Sequence, residues 1–400
     1  MLFPLFFNKN RVVFSIVLMV LMLFILSTAR RFAYPFLPVF MEMFNLTAVA
    51  ATILVAATQV PAVFGILWGP LGDRFGYRKL MTFGILIMVV GFLVFAVSQS
   101  YFTLFLALFF AGLGKNMYDP NGQACANSNV NRQYRGLVTG LLETGWALST
   151  LIGIPLITLL VYSFSWRAPF ITLALTALVM ITLLQLTLPP EPKRAKESIN
   201  ILQIYKTTFW DMLHSPAIWG LALFFFGIGF ANDCIFVVYS RWLDASFGLS
   251  YIAVGIGTAI IGIAELCGEL TTAFIAEKIG YKRLFIGLFV IVILATALLP
   301  VLGVTQSLAW ILLFGAFFGA EALIVTGFAF AQDFLPGKRS TILSLVFSAT
   351  NIGRIVGILS GSGLWALGGM LLVSGVSALV LVLALACLEG MAFKHKSNNI

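Results

Sequence analysis

The stretch Gly69-Pro70-Leu71-Gly72-Asp73-Arg74-Phe75-Gly76-Tyr77-Arg78-Lys79 interrupts an otherwise apolar region and obeys the pattern G-x3-D-[RK]-x-G-x-[RK]-[RK] at every fixed position. Gly69 and Gly76 carry no Cβ, which permits close backbone approach and a tight turn. Asp73 can accept hydrogen bonds from an arginine or a helix N-terminus, while Arg74, Arg78 and Lys79 gather positive charge at the same turn. A loop that merely set orientation in a membrane would need the basic residues, but neither the glycines nor the aspartate.

A weaker copy follows as Ala273-Phe274-Ile275-Ala276-Glu277-Lys278-Ile279-Gly280-Tyr281-Lys282-Arg283. Matching Asp73 to Glu277, Gly76 to Gly280 and Arg78 to Lys282 gives one offset of 204 residues, and the same offset carries Arg135 onto Arg339. Separate loops that agree on about half the length of a 400-residue chain point to a duplicated architecture.

The sequence around these loops is 60% hydrophobic and 10% charged, against roughly 45–50% and about 25% in soluble domains. No water-soluble core hides that much apolar surface. Segments of about 20 apolar residues suffice to cross roughly 30 Å of hydrocarbon. Twelve candidate spans emerge at 12–41, 47–70, 79–98, 102–128, 136–163, 168–188, 216–240, 248–276, 284–303, 307–334, 340–366 and 369–392. The first run follows Lys9 and Arg11 like a signal peptide, but it continues past Thr28 without a small-residue cleavage site, so it reads as a permanent span.

The polar segment 189–215, opening Pro189-Pro190-Glu191-Pro192-Lys193, divides the spans six and six. The expectation is an all-α membrane protein with twelve transmembrane helices in two pseudo-symmetric six-helix bundles: 1–188, a cytoplasmic linker at 189–215, and 216–400 with a short cytoplasmic tail. Lysines and arginines concentrate in alternate connections, and the others carry little beyond Arg167 and Arg241. The net charge of +9 therefore describes loops and not a nucleic-acid surface. The positive-inside rule then puts both termini and the linker in the cytoplasm, in an inner membrane.

The 69–79 loop and its copy resemble the cytoplasmic signature of the major facilitator superfamily, over essentially the whole chain. The resemblance implies secondary active transport by alternating access around a site near the bilayer midplane. It also implies a conformational gate in which Asp73 latches one access state, with Gly69, Arg74, Gly76, Arg78 and Lys79 around it and Glu277, Lys278 and Gly280 as the second-half counterparts. Within the fifth span, Gly145-Trp146-Ala147-Leu148-Ser149-Thr150-Leu151-Ile152-Gly153-Ile154-Pro155 is similar to the glycine-proline signature of proton-coupled drug exporters, although the paired glycines after the proline are missing. The fourth span carries Leu108 where that branch has an arginine four residues before a glycine, and Lys115 stands seven residues on as a replacement cation.

Charges within spans are costly and mark cavities or pathways. Arg30 and Arg31 lie in the periplasmic third of the first span, and neighbours on a helix point about 100° apart, so one of them, Arg31, is expected to face the interior with Tyr34 nearby. Lys115 and Asp119 share a face of the fourth span beside Tyr118, as an internal ion pair or as part of a substrate site. Glu143 lies in the fifth span. The second half offers Asp233 and Glu321 as central proton-coupling candidates with Arg354 as their cation, while Glu265 and Glu269 share a face of the eighth span.

The two histidines, His214 and His395, lie outside the spans, so a coupling proton in the membrane needs a carboxylate. Four cysteines fall in apolar runs without metal or disulfide spacing. There is no Walker loop, HExxH or nucleophile elbow. The chain is therefore expected to be no enzyme and to use no cofactor or metal; its partners are a small-molecule substrate, protons and the bilayer, and it is expected to function as a monomer. By resemblance, the leading function is proton-coupled antiport, the efflux of a small amphipathic or organic compound. Alternatives are uptake or exchange of a polar anionic metabolite, export of a siderophore or lipid-like metabolite and, from another class, a non-transporting sensor or a polytopic enzyme.

Overall fold

A computed structural model describes residues 9–32, 41, 42, 44–47, 50, 53, 54, 57–98, 100–188, 210, 213–249, 251–335 and 337–393. Among these residues every regular element is helical, as a bilayer requires: without water, a spanning segment must satisfy its own backbone polar groups. Nine helical stretches are long and apolar enough to cross a membrane among the described residues. The stretch Arg339–Cys387 contains two spans, because Gly368 (φ −158°, ψ 22°) and Gly369 (φ 60°, ψ −155°) leave helical geometry between them. The fourth span, Tyr101–Ser128, is a continuous helix through Pro120. It falls below the others in hydropathy because Lys115, Asn116, Asp119, Asn121, Gln123 and Asn127 interrupt it. The second span is a 3-10 helix over Val60–Leu67 and an α-helix over Trp68–Phe75. The molecule is thus an all-α, twelve-helix membrane protein.

Several boundaries carry information of their own. The fifth span is α-helical over Arg135–Leu148, π-helical over Ser149–Gly153 and α-helical again over Ile154–Ser163. The seventh, Pro216–Phe236, is followed by a short helix, Tyr239–Phe247, that stops at Gly248 in the left-handed region (φ 62°). The 189–215 linker and Tyr34 lie outside the described residues except for Trp210 and 213–215.

The chain divides into two compact units, Met1–Lys196 and Glu197–Ile400. In the first, an aromatic cluster joins spans one, three and six: Phe95 and Phe170 stack with centroids 3.6 Å apart, and Phe32 meets Phe170 edge-on at 4.9 Å. In the second, spans seven and eleven touch backbone to backbone along Gly353, Gly357 and Gly361. A Cβ on these three glycines would fall 2.1, 2.4 and 2.6 Å from the carbonyl oxygens of Phe226, Phe230 and Cys234. Lipid tails are as apolar as leucine, so close packing through small residues, and not apolar burial, holds such helices together.

Candidate functional site

In the N-terminal unit, charged groups from the first and fourth spans converge on the indole of Trp146 in the fifth. The Arg31 guanidinium carbon lies 3.8 Å from the ring centroid, Lys115 Nζ 5.7 Å and the Arg30 guanidinium carbon 5.9 Å. Each is within reach of the negative ring face, and the attraction strengthens when water is excluded. Arg31 also donates to the Trp146 carbonyl oxygen at 3.4 Å and to the Thr150 hydroxyl, while Arg30, 4% exposed, donates to the side-chain oxygen of Gln59 in the second span.

The local sequence explains this convergence. Gly145 and Gly153 let the fifth span press onto the first, since added Cβ atoms would fall 2.8 Å from the Val20 carbonyl oxygen and 2.1 Å from the Thr28 hydroxyl. The exporter-like glycine-proline stretch therefore serves as a packing surface for the first span. Its π-helical turn loosens the carbonyl ladder next to Trp146, and the Trp146 carbonyl accepts from Ser149 Oγ at 2.6 Å as well as from Arg31.

A polar ladder runs from this centre along the seam of the fourth and fifth spans. Lys115 Nζ donates to both Asp119 oxygens at 2.9 and 2.8 Å, Gln123 Nε2 to Glu143 Oε1 at 2.6 Å, and Asn127 Nδ2 to Thr139 Oγ1 at 3.0 Å. Lys115, Asp119, Gln123 and Asn127 are spaced by four and so share one helix face, and every side chain of the ladder is buried. Tyr118 turns toward the first span instead, its buried hydroxyl donating to the Met19 carbonyl oxygen at 3.5 Å.

In the C-terminal unit, Asp233 Oδ2 and Arg354 Nε are 3.4 Å apart, both side chains 17% exposed, and Asn232 Nδ2 donates to the same oxygen at 3.3 Å. The glycine row that joins spans seven and eleven places the two charges opposite each other. Glu265, Glu269 and Glu321 are buried along the seam of spans eight and ten. There Gly268 brings the helices close, 3.4 Å from its built Cβ to Glu321 Cβ, and Thr272 donates to the Ala322 carbonyl oxygen at 3.2 Å. Arg354 thus stands with Asp233, and Glu321 lies beside Gly268 of the eighth span.

The two signature loops share one geometry. The Tyr77 hydroxyl donates to Asp73 Oδ1 at 2.8 Å, and the Tyr281 hydroxyl to Glu277 Oε1 at 2.7 Å. Between carboxylate and tyrosine stand Gly76 (φ 106°) and Gly280 (φ 83°), in backbone conformations that L side chains rarely adopt. Gly69 is buried and Arg74 lies over the Phe75 ring at 5.8 Å. Arg78 reaches the end of the sixth span, donating to Gln185 through both its side chain and its carbonyl and to the Leu188 carbonyl at 3.4 Å. Lys79 and Lys278 are exposed.

Of the pathway residues singled out in the sequence, Arg31, Lys115, Asp119 and Glu143 thus belong to one connected polar region, together with Arg30. Adjacent helix positions do diverge, yet two long guanidinium side chains at the helix end reach one large ring. Gln59, Gln123, Asn127, Thr139 and Thr150 are neutral and carry no cost signal in an apolar run, although Lys115, Asp119, Gln123 and Asn127 recur every four residues. The two tyrosines were within reach as well, since they obey the same 204-residue offset.

Two six-span units, helical throughout the described residues, each with buried charges and a matching loop, define a polytopic membrane transport protein. The chain belongs to the Major Facilitator Superfamily, whose family model matches residues 19–358. It is 26% identical over 342 residues to the uncharacterized MFS-type transporter YceJ of Bacillus subtilis (strain 168), covering 84% of this chain and 85% of that protein. It is 23% identical over 369 residues to the sialic acid transporter NanX of Escherichia coli (strain K12), covering 88% of each. The fold matches the crystal structure of the human organic anion transporter MFSD10 (TETRAN) with a TM-score of 0.77 at 15% identity, over 95% of this chain and 99% of that one. The protein is a multi-pass secondary transporter of small molecules.

Proposed function

We propose that this transporter takes up or exchanges a small organic anion, a carboxylate-bearing metabolite, across the inner membrane, with Arg31, Arg30 and Lys115 around Trp146 as the anion-binding end of the site. The observation that carries this reading is the charge balance of the N-terminal polar region. Three cations face one indole, against the two carboxylates Asp119 and Glu143. A pair of guanidinium groups is the element suited to a bidentate carboxylate. A site for cationic drugs needs the opposite balance. A relative named for sialic acid and a fold neighbour named for organic anions support the same substrate class.

Protons are the proposed coupling ion, carried by Asp119 or Asp233. Each carboxylate faces a cation whose hold is released on protonation, which links a charge change to a packing change. The basic connections favour cytoplasmic termini, and a monomer is the proposed working form. Proton-coupled efflux of an amphipathic compound is the second reading, favoured by the glycine-proline stretch of the fifth span with its π-helical turn.

The test is flux in proteoliposomes with an imposed proton gradient, using monocarboxylates, dicarboxylates, a neutral sugar and a lipophilic cation, with internal pH recorded. Uptake of a carboxylate together with protons is expected. It should fall about 10- to 100-fold in Arg31→Gln, the loss of a hydrogen-bonded charge contact of about 1.5–3 kcal/mol. Asp119→Asn or Asp233→Asn should uncouple proton movement. Expulsion of the lipophilic cation, undiminished in Arg31→Gln, would replace this reading with the second.

A further inference from the structure

We propose that the cleft between the start of the third span and the end of the sixth is a binding site for an anionic phospholipid. Lys79 meets the phosphate headgroup, and the outer face of the third span serves as the bed for an acyl chain. The cleft has a volume of about 410 Å³ and is lined by Arg78, Lys79, Thr82, Phe83, Leu86 and Gln185. Its polar wall is already organised: Arg78 is committed to Gln185, and Gln185 donates to the Thr82 hydroxyl, which donates to the Arg78 carbonyl oxygen at 2.8 Å. Lys79 is different. It is exposed at the mouth of the cleft, and its ammonium has no carboxylate or hydrogen-bond partner among the described residues.

Beneath the cation lies an apolar track. Phe83, Leu86, Val90 and Leu93 are all exposed, at spacings of three, four and three, and so form one face of the helix. From Phe83 to Leu93 the helix advances about 15 Å, half of the roughly 30 Å hydrocarbon core. That is the reach of one leaflet. A free phosphate or a soluble acid would match the ammonium and leave the track uncovered; a phospholipid matches both. A lysine at a helix end also extends its charge to the headgroup level while its stem lies on apolar surface. The site is separate from the anion subsite around Trp146 and stands on membrane embedding alone.

Native mass spectrometry of the full-length transporter tests the proposal, with phosphatidylglycerol and phosphatidylcholine supplied in equal amounts. Phosphatidylglycerol adducts should exceed phosphatidylcholine adducts and fall about fivefold in Lys79→Ala, the loss of one lysine contact with an anionic headgroup. They should persist in Lys79→Arg and in Arg283→Ala, which removes an equally exposed cation outside the cleft. Equal adducts of the two lipids, equal loss in Arg283→Ala, or no loss in Lys79→Ala would each overturn the proposal. Displacement of phosphatidylglycerol by millimolar inorganic phosphate would reduce the site to a simple anion pocket and overturn it as well. Because Lys79 is exposed, unchanged thermal unfolding of the variants is expected and separates lipid loss from misfolding.

Discussion

Lys115 and Asp119 show what a buried charge does at the scale of one residue. Their contacts at 2.8 and 2.9 Å lie inside a membrane-spanning helix, where either charge alone is costly. Lys115→Met should therefore lower the thermal stability of the solubilised protein by about 3–5 kcal/mol, because it strands the carboxylate, while Lys115→Met combined with Asp119→Leu should recover most of that loss. A single variant as stable as the double would mean that the two charges are not coupled. Arg31→Lys keeps the charge but loses the guanidinium over the Trp146 ring and its bond to Thr150, so substrate affinity should drop about tenfold with little change in stability. The charged members of this region were legible in the sequence, since a charge in an apolar run stands out on cost alone. Gln123 and Asn127 were not, because a neutral amide in a long helix draws attention only once its partner is known.

At the scale of elements, glycine decides which helices meet. Gly353→Ala and Gly357→Ala should each destabilise the seam of spans seven and eleven by about 1–3 kcal/mol, because the new methyl meets a fixed carbonyl oxygen and not a movable side chain. Gly363→Ala, on the same helix but facing open space, should be neutral or stabilising by about 0.5–1 kcal/mol, since alanine is the better helix former. Parallel melting curves of the three variants check this. Equal effects at positions 353 and 363 would sink the account. Gly76→Ala should cost about 1–3 kcal/mol through backbone strain at φ 106°. The glycines at positions 353, 357 and 361 recur every fourth residue, a spacing suited to a small-residue seam. The partner of that seam was not legible, because nothing in a row of small residues says which helix will lie against it. Hydropathy alone would have passed over the fourth span, whose polar face is the one that carries chemistry.

At the scale of the whole molecule, the duplication is visible in hydrogen bonds as well as in letters, for each half closes its loop with a tyrosine on a carboxylate. Asp73→Asn retains an oxygen that the Tyr77 hydroxyl can reach and removes only the charge. Transport should slow at least several-fold while insertion and protein yield stay unchanged, and Tyr77→Phe should have a smaller effect. Turnover unchanged in a well-expressed Asp73→Asn protein would count against a latch role for this carboxylate.

The class of fold, the number of spans, the repeat and the identity of the charged candidates were all legible in the chain. These follow from composition and spacing, and the bilayer admits few structures that satisfy every backbone group. Folding was needed to show that both arginines share Trp146, that Arg354 meets Asp233, and that Gln123 and Asn127 extend the polar ladder. Those outcomes depend on which helices touch and at what height. Helix contacts in a membrane are set by close packing of small residues, whose shape complementarity is a property of two surfaces together and is written in neither segment alone.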